Sequence, residues 1–219
     1  MITCYTITKG LPDFAKGLVR DLRVRWALEE AGMPYEVMPV GENGMSRAEY
    51  RAIQPFGQVP AIRDGALTLF ESGAIVLHIA SISGTMLPPA GDRHALAVEW
   101  MFAALNTVEN PIQQLAAVDI FFAREPWSGD ARPVFLAAVT KRLEQLTEAL
   151  GDRDYLIGEF TAADLLMTTV LRILRHTDVL DSFPTLSAYK ARCEARPAFQ
   201  KALADHMAAF ADAEPAADR

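Results

Sequence analysis

The first eighty residues alternate short runs rich in β-branched and aromatic residues with runs of helical spacing, and the remainder is almost continuously helical in pattern. Residues 2–7, bounded by Lys9-Gly10-Leu11-Pro12, predict a first strand. From Leu18 the apolar residues Leu18, Leu22, Trp26 and Ala27 recur at helical spacing among Arg20, Arg23, Arg25, Glu29 and Glu30. Gly32 and Pro34 supply a stop, so an amphipathic first helix is expected. Residues 35–40 read as a second strand, completing a β-α-β unit long enough for a parallel crossover. A stretch containing Gly41, Asn43 and Gly44 is expected to be mobile. Residues 59–63 and 66–70 then flank Asp64-Gly65, a dipeptide suited to a tight hairpin, and should pair antiparallel. Glu71-Ser72 opens an apolar helix over residues 73–83.

Gly84 and Leu87-Pro88-Pro89-Ala90-Gly91 interrupt any continuing helix, because proline lacks an amide donor and disfavours helical geometry in the residue before it. The expected division is an α/β domain over 1–84, a linker over 85–93 and an all-α helical bundle over 94–219. Within that half, residues 94–122, 133–150, 162–176 and 185–210 carry periodic apolar positions, and the Ala/Asp/Glu-rich tail from Ala211 is expected to fray.

Composition narrows the function. With 51% apolar and 22% charged residues over 219 positions, the chain can bury a core and is not intrinsically disordered. A net charge of −7, with no cluster of Lys or Arg, argues against a nucleic-acid partner. No apolar run approaches the roughly 20 residues of a spanning helix, and the amino terminus lacks the pattern of an export signal, so a membrane location is not expected. Cys4 and Cys193 have neither disulfide-framework nor zinc-ligand spacing, which fits a reducing cytoplasm. His78, His94, His176 and His206 show no metal-binding pairing, and no metal is expected.

The most informative stretch is Gln54-Pro55-Phe56-Gly57-Gln58-Val59-Pro60-Ala61-Ile62, followed by Leu69-Phe70-Glu71-Ser72-Gly73-Ala74-Ile75. Pro60 at the start of a strand cannot donate to the sheet, so the peptide before it is free to face a ligand. A cis Val59–Pro60 bond would present the Val59 N–H and C=O as a matched donor and acceptor for an extended peptide; a trans proline would merely start a strand. Ser72 stands at a helix start, where free amides and the helix dipole attract a carboxylate, or where its hydroxyl simply caps an amide. Glu71 offers a negative charge to a ligand ammonium, or is a solvated first-turn acid. Together Glu71 and Ser72 have the polarity of an amino-acid zwitterion site.

These two segments resemble the glutathione transferase superfamily, in which a thioredoxin-like amino-terminal domain carries an N-P-x-G-x-V-P-like segment and then E-S-x-A-I. The likeness extends to Leu22-Arg23-Val24-Arg25-Trp26-Ala27-Leu28 and to Tyr155-Leu156-Ile157-Gly158-Glu159-Phe160-Thr161-Ala162-Ala163-Asp164, and covers nearly the whole chain. The resemblance implies an enzyme that binds glutathione as co-substrate, stabilises its thiolate and directs it at an apolar electrophile, a disulfide or a peroxide. It implies that Val59 pairs through its backbone with the cysteinyl unit, that cis Pro60 shapes that turn, that Glu71 and Ser72 grip the γ-glutamyl end, and that Gln58 touches the glycyl end. It also implies a homodimer, and a folding role for Thr161 and Asp164 as a buried reciprocal helix cap.

The family's Tyr, Ser or Cys between the first strand and first helix has no counterpart here: the serine-type position falls at or near Leu18. A thiol with a pKa near 8.5 still needs a donor or a positive field to ionise at neutral pH. Three substitutes are open: the amides at the first helix start, the Arg20 guanidinium, or a hydroxyl from Thr6 or Thr8. Arg20 also reads as a surface charge. Tyr5 and Cys4, within the strand, read as packed residues. A catalytically weak glutathione-binding or scaffold domain is the alternative reading.

Overall fold

A computed structural model describes residues 1–41 and 44–211 of the chain. They fall into two compact units, one formed by residues 1–86 together with the segment from Arg196 onward, the other by Leu87–Ala195. The expectations for Asn43 and for the tail beyond Ala211 concern positions outside the described residues.

In the first unit β1 (Ile2–Thr6), α1 (Asp21–Glu30) and β2 (Tyr35–Pro39) form the β-α-β unit, with β1 and β2 parallel and Ile2 opposite Tyr35. A short helix α2 (Ala48–Arg51) precedes β3 (Ala61–Asp64) and β4 (Leu67–Phe70), which pair antiparallel around Gly65 at φ 58°. The sheet order is β2-β1-β3-β4, with β3 antiparallel to β1. Alternation along β1 sends Ile2, Cys4 and Thr6 into the interior. Tyr5 points the other way, onto a small cluster of Val40, Tyr50 and Ala61. The helix α3 (Ser72–Ser83) follows and ends at Gly84 in the left-handed conformation.

Two expectations for this unit change. The first helix starts at Asp21 rather than Leu18, after a 3-10 turn over Asp13–Ala15. Nor is it amphipathic: every residue from Asp21 to Leu28 is buried, Arg23 and Arg25 included. The reason lies far along the chain. The run expected as one helix over 185–210 breaks into α8 (Pro184–Glu194) and α9 (Pro197–Ala211), because Pro197 cannot donate to the preceding turn and opens a new helix instead. The helix α9 packs on α1, where Trp26 meets Phe199 edge to face at 4.7 Å between ring centroids. Arg196 donates twice to the Glu30 carboxylate, at 2.6 and 2.7 Å, and Lys201 reaches Glu29 at 2.8 Å. The sequence pattern grouped this last helix with the helical half, whereas its packing is against α1.

The second unit is helical: α4 (Asp92–Phe102), α5 (Glu109–Ala116), α6 (Ser128–Leu150), α7 (Ala162–Leu171) and α8. The expected helix over 94–122 is interrupted by wider turns at Ala103–Val108 and Ala117–Phe121. The helix α6 contains Pro133 at its sixth position, where the missing N–H forgoes the i→i−4 hydrogen bond to the Gly129 carbonyl. Thr161 and Asp164 form a reciprocal cap on α7: Asp164 accepts from the Thr161 and Leu156 amides at 2.8 and 2.9 Å and from Tyr189 Oη at 3.0 Å. Burial nevertheless pushes the Asp164 carboxyl above its usual range. No helix among the described residues is long and apolar enough to cross a membrane.

Candidate functional site

The hairpin brings the two motifs together. Ala61 faces Phe70 at the last pair of the β3–β4 ladder, so Pro60 and Glu71 each stand one residue beyond the same end, and Val59 and Ser72 two beyond. The Phe56 and Phe70 rings meet edge to face at 6.0 Å and tie the preceding loop to that end of the hairpin.

The loop itself is held from below. Tyr50 Oη donates to the Gln58 carbonyl at 2.7 Å, buried Gln54 accepts the Phe56 amide at 2.7 Å, and Arg51 donates to the Pro55 carbonyl at 3.1 Å. Gly57, at φ 64°, is required here: a Cβ would lie 2.8 Å from the Met45 carbonyl oxygen. The Val59–Pro60 bond is cis. Pro60 is buried, Val59 half-buried and Gln58 exposed. Among the described residues, no main-chain hydrogen bond is made by the Val59 N–H or C=O. A donor and an acceptor on one residue therefore stand ready for an extended ligand.

Glu71 precedes α3 with φ 68° and ψ 112°, outside the regions open to most non-glycine residues, and its side chain is exposed. Backbone strain of this kind persists only where surrounding structure imposes it, and it concentrates at ligand clamps. Ser72 is the first residue of α3 and is 6% exposed. Its hydroxyl does not cap the helix. Instead Arg23 Nη1 donates to Ser72 Oγ at 3.1 Å. Because a guanidinium only donates, Ser72 Oγ is the acceptor there and keeps its own proton to give to an anion. The first amides of α3 and the buried positive charge of Arg23 add to that preference for negative charge.

Arg23 is the residue beside the candidate site that sequence reasoning missed. It reads as one of three arginines on a polar helix face. Only its distance to Ser72, across the contact between α1 and α3, brings it to the candidate site. A signal was present in the crowding of Arg20, Arg23 and Arg25 beside Trp26, more positive charge than a single solvated stripe needs.

The candidate thiol-activating groups lie elsewhere in the unit. Thr8 follows β1 and is 9% exposed; Arg20, immediately before α1, is exposed. Thr6 turns inward and contributes to lowering the Asp21 carboxyl, so it is not open to a ligand. Cys4 is fully buried and its thiol is pushed far up by burial and then by the nearby Asp21 charge, which makes it unreactive. Tyr5 packs edge to face on Tyr50 at 5.9 Å. Among the described residues, no group of three or more His, Cys, Asp or Glu is arranged to hold a metal ion.

Comparison with known proteins identifies the family. The family model of the glutathione S-transferase N-terminal domain matches residues 16–81, and that of the C-terminal domain matches residues 117–197. Glutathione S-transferase 4 of Zea mays is 32% identical over 194 residues, spanning 82% of this chain and 85% of that protein. A glutathione S-transferase of Hyoscyamus muticus is 33% identical over 199 residues, spanning 83% and 92%. A crystal structure of a glutathione transferase family member from Pseudomonas fluorescens, with two glutathione bound, superposes with a TM-score of 0.81 at 25% identity over 92% of each chain. The chain belongs to the glutathione S-transferase family, with a thioredoxin-like N-terminal sheet domain followed by a helical one.

Proposed function

We propose that the first unit binds glutathione along the end of the β3–β4 hairpin and activates its thiol for attack on an apolar electrophile. The observation that carries this reading is the pairing of an unbonded Val59 main chain with an Arg23-held Ser72 at one end of one hairpin. In this reading the Val59 N–H and C=O pair with the cysteinyl unit, much as a strand adds to a sheet edge. The Ser72 hydroxyl and the α3 amides take the γ-glutamyl carboxylate, Arg23 supplies the field behind them, and Glu71 takes the ammonium. Gln58 reaches the glycyl end. The thiolate is stabilised from the loop over residues 7–20, by the Thr8 hydroxyl and the Arg20 guanidinium, each of which lowers a thiol pKa by favouring the charged form. The protein works as a homodimer in the cytoplasm, where its two free cysteines are buried and stay reduced.

The deciding experiment is a pH titration of bound glutathione, following the ultraviolet absorbance of its thiolate. Binding with a thiol pKa well below about 8.5 supports the reading. A second reading, a glutathione-binding module without turnover, is favoured by one observation: residues 7–20 contain no Tyr, Ser or Cys. It predicts binding with an unshifted thiol pKa and no thiol addition to electrophiles.

A further inference from the structure

The first turn of α1 has two faces with different tasks. One carries Arg23 to Ser72. The other carries Asp21 and Arg25 into the interior, where Arg25 Nε donates to Asp21 Oδ2 at 2.8 Å, with both side chains out of solvent. A third group joins them from α9: His206 Nδ1 lies 3.4 Å from the same Asp21 oxygen, with both side chains fully buried. The His206 ring sits edge to face on Phe210, 4.9 Å between centroids. Cys4 and Thr6 of β1 border the cluster.

Apolar contacts such as Trp26 on Phe199 tolerate small slides of one helix along another. A buried ionic group does not, because any slide leaves a charge without its partner in a low-dielectric interior. The cluster is also a poor way to gain stability. Asp21 Oδ1 and both ring nitrogens of His206 make no hydrogen bond among the described residues, although all three are shielded from water, so His206 meets Asp21 through the 3.4 Å approach alone. A group that does little for stability yet admits one arrangement fits a device that sets position.

We infer that His206 is a positioning residue for the carboxylate-binding end of the site: it holds the first turn of α1 from behind and so sets where Arg23 presents its guanidinium to Ser72. The inference rests on the glutathione reading for its functional consequence, while its structural half concerns this chain alone. The path runs from α9 through Asp21 and along two residues of helix to Arg23, and then across to the start of α3. It makes the last described helix part of the ligand site without touching the ligand.

The test compares His206→Leu, which fills the space without a donor, with His206→Asn, whose amide nitrogen can occupy the place of Nδ1, and His206→Gln, whose amide is displaced by one bond. Glutathione affinity is measured by calorimetry. Amide hydrogen exchange at residues 21–25 and at Ser72 is measured in the ligand-free protein. We expect His206→Leu to weaken glutathione about fivefold, His206→Asn to restore most of the loss, and exchange at Ser72 to rise in the Leu variant only. Combined with Ser72→Ala, the His206→Leu loss should be less than additive, since both act on one contact. Unchanged affinity in His206→Leu, or strict additivity, overturns the inference. If the Leu variant does not fold, Asn against Gln decides: wild-type affinity for Asn with weakening for Gln supports it, and any other pattern overturns it. If the wild-type chain does not bind glutathione, the functional reading fails, and exchange at Ser72 still decides the positioning step.

Discussion

Replacing Ser72 by Ala separates a ligand group from a structural one. The hydroxyl accepts from Arg23 Nη1 at 3.1 Å and has one proton left for a ligand carboxylate. A hydrogen bond to a charged group contributes about 1.5–3 kcal/mol, so losing the bond to the carboxylate should weaken glutathione roughly 10- to 150-fold. The folding cost is smaller. No cap is lost, because Ser72 Oγ caps nothing, and alanine suits a helical first turn. The Arg23 guanidinium loses one acceptor but keeps further partners. That leaves about 1 kcal/mol of stability, or roughly 2–4 °C in thermal midpoint for a chain of this size. Calorimetric titration with glutathione reads the first quantity and thermal unfolding without ligand reads the second. Equal losses in the two, each near 1 kcal/mol, would refute the reasoning and make Ser72 a purely structural residue.

Further outcomes follow from the same structure. Glu71→Gln should weaken glutathione by removing the countercharge for its ammonium, with folding stability nearly unchanged because the side chain is exposed; the same two measurements check it. Gly57→Ala should cost at least about 1–2 kcal/mol, since the residue sits at φ 64° with a backbone oxygen where the methyl would go, and it should weaken glutathione as the loop shifts; denaturant unfolding and titration read both. Asp21→Asn tests the buried cluster through pH. Burial raises the Asp21 carboxyl, while His206 and then Arg25 and Thr6 lower it, with a net lowering. The wild-type carboxylate therefore adds stability above its unfolded value near 3.9 and loses it as pH falls toward the depressed folded value. At pH 7 the Asn variant should be several kcal/mol less stable, because Arg25 is left buried without its partner, and the gap should narrow on acidification; a gap that widens in acid contradicts the assignment. Phe199→Ala should cost about 3–5 kcal/mol in chemical denaturation, because its ring is buried against Trp26.

What the sequence makes legible is local. Gly65 marks the hairpin because its positive φ helps close so short a turn, although the turn residues are Gly65-Ala66 with Asp64 still paired in β3, and once the hairpin is placed, Val59-Pro60 and Glu71-Ser72 must share one end. Periodicity marks α3 and α7 because their apolar residues are contiguous in sequence. The difference between solvent and a second layer of protein is not local. Arg23 and Arg25 look solvated until α9 is known to cover one side of α1 and α3 the other. The break at Pro197 was visible as a proline, yet the packing of α9 on α1 depends on contacts between residues far apart in the chain, such as Trp26 with Phe199 and Asp21 with His206. The same limit hides the role of Ser72: its spacing suggests a cap, and only the approach of Arg23 shows a hydroxyl held for something else.

The central claim is tested most directly by a crystal structure of the protein with glutathione. The account predicts the cysteinyl amide and carbonyl paired with the Val59 main chain and the γ-glutamyl carboxylate within about 3.2 Å of Ser72 Oγ, with the sulfur turned toward the loop over residues 7–20. Glutathione bound away from the hairpin end, or seated there with its carboxylate facing neither Ser72 nor the α3 amides, would contradict it.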